Sequence, residues 1–190
     1  MPSWVIKAAI LLLALLLLAF AVLAGPVDDL DEPTAPSANM ALYRGADIEL
    51  RYPENWLVGE NSGFTYVNPV GGFVDGLLAY GMMIGTFDPQ YDVTLEDAAD
   101  QVVAQYRLWN QNISMVRYAG TTRVNGLDAM VFDLLNVSPT PAHGMETDTL
   151  VVVLRPNGLV TYFAAVTPEA DSRDYKPAFK RILASVHFLS

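Results

Sequence analysis

Hydrophobic residues in the part of the chain after residue 41 follow spacings that are typical of strands. Ile48, Leu50 and Tyr52 alternate with charged residues, which predicts a strand with one buried face. Residues 150–154 and 163–166 are apolar without interruption, which predicts strands that are covered on both faces. Further strands are predicted at residues 64–68, 77–87, 115–119, 121–124 and 130–135, with a short tail strand at residues 186–188.

Two stretches follow the spacing of an amphipathic helix. Thr94 can cap the first, whose apolar residues recur at intervals of three or four. These residues are Leu95, Ala98, Ala99, Val102, Tyr106 and Trp109. Because proline is tolerated in the first turn of a helix, Pro177 predicts that the second helix begins near Asp174. Its buried stripe consists of Tyr175, Phe179, Ile182 or Leu183, and Val186.

Turn signals between the predicted strands indicate how the strands pair. Asn125 and Gly126 are suited to a tight hairpin, and residues 156–158 (Pro-Asn-Gly) form a second turn signal. Short connections of this kind join antiparallel strands. The predicted fold class is therefore α+β, with a mostly antiparallel central sheet covered by helices on both faces, an α/β/α sandwich. The predicted order is β-β-β-α-β-β-β-β-α, followed by the tail strand.

Residues 1–24 have the pattern of an export segment. Lys7 precedes a run without polar residues from Ala8 to Leu23, and Ala24 follows it. As a helix this run spans about 24 Å, less than the hydrocarbon core of about 30 Å, which favours a cleaved signal peptide. With Trp4 to Lys7 added, residues 4–23 could instead remain as a membrane anchor. Either way, positive charge before the run and acidic residues after it predict an extracytoplasmic chain, secreted or anchored to the membrane.

Residues 25–41 separate this segment from the rest of the chain. They contain three prolines and four acidic residues and have no apolar period, which is typical of a solvated, partly extended linker. The predicted organisation is a signal peptide or membrane anchor at 1–24, a linker at 25–41 and one folded domain at 42–190.

Short motifs in the folded part occur in an order found in one known group of proteins. They are YPENW at 52–56, TLEDA at 94–98, RVNGLDA at 123–129, VTP at 166–168 and ILASVHF at 182–188. In this order the chain resembles the PsbP-like superfamily, which comprises extrinsic photosystem II subunits, a Ran-binding protein and exported bacterial lipoproteins. The resemblance implies an α/β/α sandwich and a habit of binding other proteins. It implies no catalytic residues, and the metal-binding histidines of some photosystem members have no counterpart here.

Composition excludes several classes of function. The chain has 190 residues and a formal net charge of −10, which argues against nucleic acid as a partner because phosphate binding depends on Lys and Arg. It contains no cysteine, so disulfides, thiolate metal sites, a cysteine nucleophile and a lipidated cysteine anchor are excluded.

Candidate chemistry is sparse. His143 lies in a proline-rich loop and is expected to be exposed, and His187 should face away from the packing of Val186 and Phe188. The sequence has no G-x-S-x-G motif, and its glycine-rich loop near residue 72 lacks the lysine and hydroxyl of a phosphate-binding loop. No catalytic residue, metal site or cofactor is therefore predicted.

One loop is the candidate contact site. Phe73 and Val74 are apolar residues flanked by glycines, and exposed apolar loops often mark interaction surfaces. The predicted binding residues are Gly71, Gly72, Phe73, Val74, Asp75 and Gly76.

We expect a non-catalytic extracytoplasmic binding or accessory module that contacts an unidentified protein at the outer side of a bacterial membrane. The protein would contact the membrane itself only through its amino-terminal segment, and only if that segment is not cleaved. A carrier of a small apolar ligand, held between sheet and helix, is the alternative, and a hydrolase is less favoured.

Overall fold

Strands are the most abundant secondary structure among the described residues. The computed structural model describes residues 33–89, 91–140 and 144–189. Its strands are β1 (Met40–Arg44), β2 (Ile48–Pro53), β3 (Trp56–Asn61), β4 (Phe64–Pro69), β5 (Phe73–Val74), β6 (Leu77–Leu78), β7 (Gly81–Phe87), β8 (Met115–Val124), β9 (Leu127–Val137), β10 (Met145–Leu154), β11 (Val160–Val166) and β12 (His187–Phe188). The α-helices in these ranges are α1 (Leu95–Trp109) and α2 (Ser172–Ala184), the latter preceded by a 3₁₀ turn at Glu169–Asp171.

Seven of the described strands form one large sheet, in the order β3-β4-β7-β11-β10-β9-β8. A smaller sheet has the order β1-β2-β12, and β5 and β6 form a short hairpin. Every pairing between these strands is antiparallel. The predicted α+β class with a large antiparallel sheet is confirmed.

The core consists of two clusters that take alternate residues of the central strands. Val151 of β10 lies in one cluster with Phe179 of α2, whereas Val152 lies in the other with Val102 of α1. Because successive side chains of a strand point to opposite faces of the sheet, the uninterrupted apolar run in β10 serves both clusters.

Helix α1 begins as the sequence predicts. The Thr94 hydroxyl accepts a hydrogen bond from the Asp97 backbone N–H at 3.1 Å, and the Asp97 carboxylate accepts one from the Thr94 N–H, also at 3.1 Å. Ala98, Ala99 and the next two members of the predicted stripe are buried, but Trp109 is 54% exposed. Trp109 does not complete the core because it lies in the last turn of α1, against Phe64 of β4.

Helix α2 begins two residues earlier than predicted, so Pro177 lies in its second turn. The predicted stripe is otherwise present, since Tyr175, Phe179 and Ile182 are buried. Trp56 lies 5.9 Å from the Tyr175 ring and 6.0 Å from the Phe179 ring, centroid to centroid.

The predicted strand at residues 77–87 is interrupted. The chain bends between β6 and β7, where Gly81 has a φ angle of +140°. A Cβ atom at Gly81 would stand 2.7 Å from the Val67 carbonyl oxygen, so this close approach to β4 requires glycine. The sequence also did not predict β1 or β3.

The described part of the predicted linker contacts the domain. Met40 is the first residue of β1, paired with β2. The Arg181 guanidinium donates to the carbonyl oxygens of Ser37 and Ala38 at 3.0 and 2.8 Å, and the Tyr175 hydroxyl donates to that of Pro33 at 3.0 Å. Residues 33–41 therefore follow the surface of the domain instead of forming a solvated tether.

The predicted signal peptide or anchor, together with residues 25–32 of the predicted linker, lies outside the described residues. Among the residues that are described, no helix combines the length and the apolar character that a membrane span requires.

Candidate functional site

A cleft of about 650 Å³ lies between α1 and strands β4, β7 and β11. This volume is in the range of about 300–1,000 Å³ that is typical of small-molecule sites. Its aromatic wall consists of Phe64, Phe87, Tyr106, Trp109 and Tyr162. The cleft thus lies between helix and sheet. This is the place where the alternative function, a carrier of a small apolar ligand, would hold its ligand.

The aromatic side chains of the cleft support one another edge to face. The Phe64 and Trp109 rings are 5.6 Å apart between centroids with an interplanar angle of 85°, and those of Tyr106 and Tyr162 are 6.2 Å apart at 86°. Edge-to-face pairs of this kind contribute about 0.5–1.5 kcal/mol beyond their buried area. The wall of the cleft is therefore held in place without a ligand.

Gly85 makes room for this wall. It lies opposite Tyr162 in the pairing of β7 with β11, and the Tyr162 ring covers it. A Cβ atom at Gly85 would stand 2.7 Å from Tyr162 Cε1, so any larger residue would displace the ring. Glycine at this position keeps the Tyr162 ring against the sheet and the cleft open.

The cleft is uncharged, although the chain carries a formal net charge of −10. None of its lining residues is acidic or basic, and Ser62, Gln101 and Gln105 supply neutral polar side chains. The hydroxyl of Thr86 lies 3.1 Å from that of Thr161 instead. Burial raises the pKa of Tyr106 above its usual range, so this hydroxyl stays neutral at physiological pH. A ligand with a formal charge would find no counter-charge in this lining.

The predicted contact loop forms the β5–β6 hairpin. Its turn is made by Asp75 and Gly76, with φ angles of +50° and +79°. Gly72 is buried: its N–H donates to the Pro69 carbonyl oxygen at 3.0 Å, and its own carbonyl oxygen accepts from Ala79 and Tyr80. The hairpin is thus anchored at Gly72.

The two apolar residues of this loop have different environments. Phe73 is 40% exposed, and its ring lies 5.4 Å from that of Tyr66 at an interplanar angle of 63°. Val74 is half-buried and packs against the core cluster that contains α2. Facing residues of an antiparallel pair lie on the same side of the hairpin. Phe73 and Leu78 therefore lie on one side, and Val74 and Leu77 lie on the other.

Phe73 belongs to a series of ring contacts that reaches the cleft. Phe64 and Tyr66 lie two residues apart on β4 and so on the same face, with ring centroids 6.3 Å apart. Tyr66 contacts Phe73, and Phe64 contacts Trp109. We call Trp109, Phe64, Tyr66 and Phe73 the aromatic row. It brings part of the predicted contact loop and the cleft onto one surface.

Two buried carboxyl groups, which are not among the lining residues of the cleft, lie on β10. Glu146 accepts a hydrogen bond from Asn136 Nδ2 at 2.9 Å, and burial raises the pKa of Glu146 to about 7. Burial, and then the nearby Glu146 charge, raise the pKa of Asp148 well above its usual range. In the described ranges, no group of three or more His, Asp or Glu side chains is arranged to hold a metal ion.

The structure describes one of the two histidines. His187 is exposed, and its Nδ1 lies 3.2 Å from Asn125 Oδ1. His143 lies outside the described residues.

Comparison by sequence finds no match, either to a protein-family model or to a curated protein. Comparison of structures does find matches. Cyanobacterial PsbP (CyanoP) from Synechocystis sp. PCC 6803 aligns with a TM-score of 0.55 and 13% identity, over 87% of this chain and 100% of that one. The fold is PsbP-like. At this identity the likeness shows the fold alone, and it confirms the resemblance to PsbP-like proteins that the sequence motifs indicated.

Two further solved structures are similar to this chain. LpqN of Mycobacterium tuberculosis, described as involved in cell envelope biogenesis, aligns with a TM-score of 0.52 and 13% identity, over 80% of this chain and 91% of that one. A Bacteroides thetaiotaomicron protein aligns with a TM-score of 0.50 and 12% identity, over 83% of this chain. The match spans half the length of that protein.

Proposed function

We propose that this protein is a non-catalytic extracytoplasmic binding module, and that the cleft beside α1 is its binding site for an uncharged ligand. The observation that carries the proposal is the aromatic, uncharged lining of a cleft of about 650 Å³. We also infer that α1 and α2 cover opposite faces of the large sheet, in an α/β/α sandwich, because they pack against alternate residues of β10.

Affinity at this site would come from removing apolar surface from water. Each 100 Å² of apolar surface that a ligand covers contributes about 2.5 kcal/mol, before the entropic cost of association. Trp109 lies at the rim of the cleft and is half exposed, so a bound ligand would cover a large ring that now faces solvent. Tryptophan in such a position is a frequent energetic anchor in binding sites.

The lining of the cleft carries no charged side chain that could serve as a catalytic acid or base. General acid–base chemistry needs a group that gains or loses a proton near the working pH, and the side chains of the cleft are hydroxyls, amides and hydrocarbons. Glu146, whose pKa does lie near 7, is buried and is not among the lining residues. The cleft can therefore hold a molecule but has no evident means of transferring a proton.

The extracytoplasmic location rests on the apolar run from Ala8 to Leu23, which follows Lys7 and precedes acidic residues. The similar fold of LpqN, a protein involved in cell envelope biogenesis, is consistent with such a location.

A protein partner is the second candidate function, and exposed apolar residues of the hairpin region favour it. Val70 is 50% exposed and Leu77 62% exposed, and both lie within four residues of Phe73 along the chain. Exposed apolar side chains in one place are typical of interaction surfaces.

The ligand-binding proposal is tested with the full chain, labelled with 5-fluorotryptophan and held in phosphatidylcholine nanodiscs. We expect uncharged 2-naphthol to shift the ¹⁹F resonance of Trp109 and to leave that of the buried Trp56 unchanged. Because the lining lacks a counter-charge, 2-naphthoate should bind at least about tenfold more weakly.

Gly85→Ala provides the matched structural test, because it pushes the Tyr162 ring into the cleft. It should remove the 2-naphthol response, whereas Gly59→Ala should retain it, since a Cβ atom at Gly59 meets nothing within 4 Å. A Trp109 resonance that is insensitive to both probes, or that responds equally in the Gly85→Ala variant, would disprove the proposed site.

A further inference from the structure

We propose that the ligand of this cleft is an uncharged oligosaccharide, which lies along the aromatic row from Trp109 to Phe73. This inference rests on the proposed function and names its ligand class. It follows from three properties of the row: its exposure to solvent, the pairing of the strand beneath it and the neutral polar groups at one end.

The row is open to solvent along its length. Its end members, Trp109 and Phe73, are both exposed, and Phe64 and Tyr66 between them are half-buried. A ligand on this surface keeps its outer side in water. An acyl chain would then leave much of its apolar surface hydrated and lose part of the favourable transfer free energy. A sugar ring has an apolar face for the aromatic rings and hydroxyl groups for the water.

The strand beneath the row has no free edge for a peptide. Strand β4 pairs with β3 along residues 64–69 and with β7 along residues 64–67, so its backbone groups are engaged on both sides. An extended peptide on this face would bring backbone N–H and C=O groups that need partners, and β-strand addition requires an exposed sheet edge. A glycan carries no such backbone groups.

The polar groups at the cleft end suit hydroxyl ligands. Gln101 and Gln105 of α1, together with Ser62 just before β4, are polar side chains among the lining residues. Amide and hydroxyl side chains both donate and accept hydrogen bonds, as sugar hydroxyls do. Because the lining is uncharged and the chain is acidic, neutral sugar units fit better than uronic acids or phosphorylated sugars.

The test is isothermal titration calorimetry of the full chain in phosphatidylcholine nanodiscs. The probes are neutral oligosaccharides built from glucose, mannose, galactose or N-acetylglucosamine, each offered from the disaccharide to the hexasaccharide. We expect affinity for at least one series to rise with length, because longer chains reach from the cleft to Phe73. Binding to no member of the panel would overturn the proposal.

Variants separate the two ends of the row. Phe73→Ala should weaken binding of the hexasaccharide about tenfold and leave that of the disaccharide unchanged, whereas Trp109→Ala should weaken both. Leu77→Ala is the control for Phe73, since Leu77 is exposed on the same hairpin but faces the other side. Tyr118→Ala is the control for Trp109, because both rings are 54% exposed and Tyr118 lies on the distant edge strand β8.

Other outcomes distinguish this inference from the proposed function. If 2-naphthol shifts the Trp109 resonance but no oligosaccharide binds, the cleft is a binding site and the oligosaccharide proposal is wrong. Dodecanol and a proline-rich peptide are the competing ligands. If either displaces 2-naphthol and its affinity depends on Phe73, whereas the affinity of no sugar does, the oligosaccharide proposal is also wrong. If neither 2-naphthol nor any sugar binds, both proposals fail. Unchanged thermal midpoints of the variants would exclude misfolding as the cause of lost binding.

Discussion

Glu146 and Asp148 lie two residues apart on β10, each with only 3% of its surface exposed. Alternation along a strand places both carboxyl groups on the same face of the sheet. Oε2 of Glu146 and Oδ1 of Asp148 have no hydrogen-bond partner among the described residues. Burial disfavours the charged form of each group and so raises both pKa values, and the nearby Glu146 charge raises that of Asp148 further.

This pair predicts that the protein loses stability as the pH rises. The pKa of Glu146 is about 7 in the folded protein against an ordinary value of 4.5, so its stabilising protonated form is fully present below about pH 4.5. That contribution is lost as the pH rises through 7. Glu146→Gln should therefore match the wild type at pH 4.5 and be more stable by about 1–2 kcal/mol at pH 8.

Chemical denaturation at pH 4.5, 6 and 8 measures this difference. Glu96→Gln, which changes an exposed carboxylate in the first turn of α1, serves as the control and should follow the wild-type pH profile. Parallel profiles for wild type and Glu146→Gln would show that Glu146 does not titrate between folded and unfolded states in this range.

Gly126 is predicted to be essential to the β8–β9 hairpin. Asn125 and Gly126 have φ angles of +50° and +77°, a conformation that is strained for a β-branched residue. Gly126→Val should lower the free energy of unfolding by about 1–3 kcal/mol. Gly59→Val, on the exposed edge strand β3, should change it by no more than about 0.5 kcal/mol. Equal melting temperatures for the two variants would contradict this account.

The docked residues 33–41 predict where an independent domain can begin. Residues 33–190 alone should unfold cooperatively. A chain of residues 42–190 should be less stable by about 2–4 kcal/mol, because it lacks the carbonyl acceptors of Arg181 and the pairing of Met40 with Pro53. Thermal melts of the two fragments decide this, and equal midpoints would mean that the amino-terminal segment contributes no stability.

Arg155 is predicted to stabilise the joint between the two ends of the domain. Its buried guanidinium donates to Asp47 at 2.7 Å and to the Leu189 carbonyl oxygen at 3.0 Å, and lies over the Phe188 ring. Arg155→Ala should cost about 2–3 kcal/mol of unfolding free energy. Arg123→Ala, which breaks an exposed ion pair with Asp128, should cost at most about 1 kcal/mol. Urea denaturation that gives similar losses for both would refute the distinction.

Features that depend on neighbours along the chain could be predicted from sequence. The Thr94 cap, the Asn125–Gly126 turn and the buried stripe of α2 each arise within a few residues of backbone, so local spacing determines them. The two-sided apolar run in β10 likewise indicated a strand buried on both faces. The short motifs implied a PsbP-like fold because together they mark its turns and caps in order.

Strands β1 and β3 could not be predicted in this way. Both lie toward sheet edges, with partly or largely exposed residues, and such strands carry little hydrophobic alternation. Backbone hydrogen bonds of β1 to β2 and of β3 to β4 hold these residues in the strand conformation, which their own side-chain patterns do not predict.

The cleft was decided by tertiary structure alone. Its walls come from Phe64, Trp109 and Tyr162, which are far apart in the sequence and meet because α1 packs across β4, β7 and β11. Helical spacing placed Trp109 correctly on the stripe that faces the sheet, but only the position where α1 ends over β4 decided that its ring stands at the rim. The sequence by itself determined which residues are apolar and which elements they form, whereas burial depends on what packs against them, and that is a property of the assembled fold.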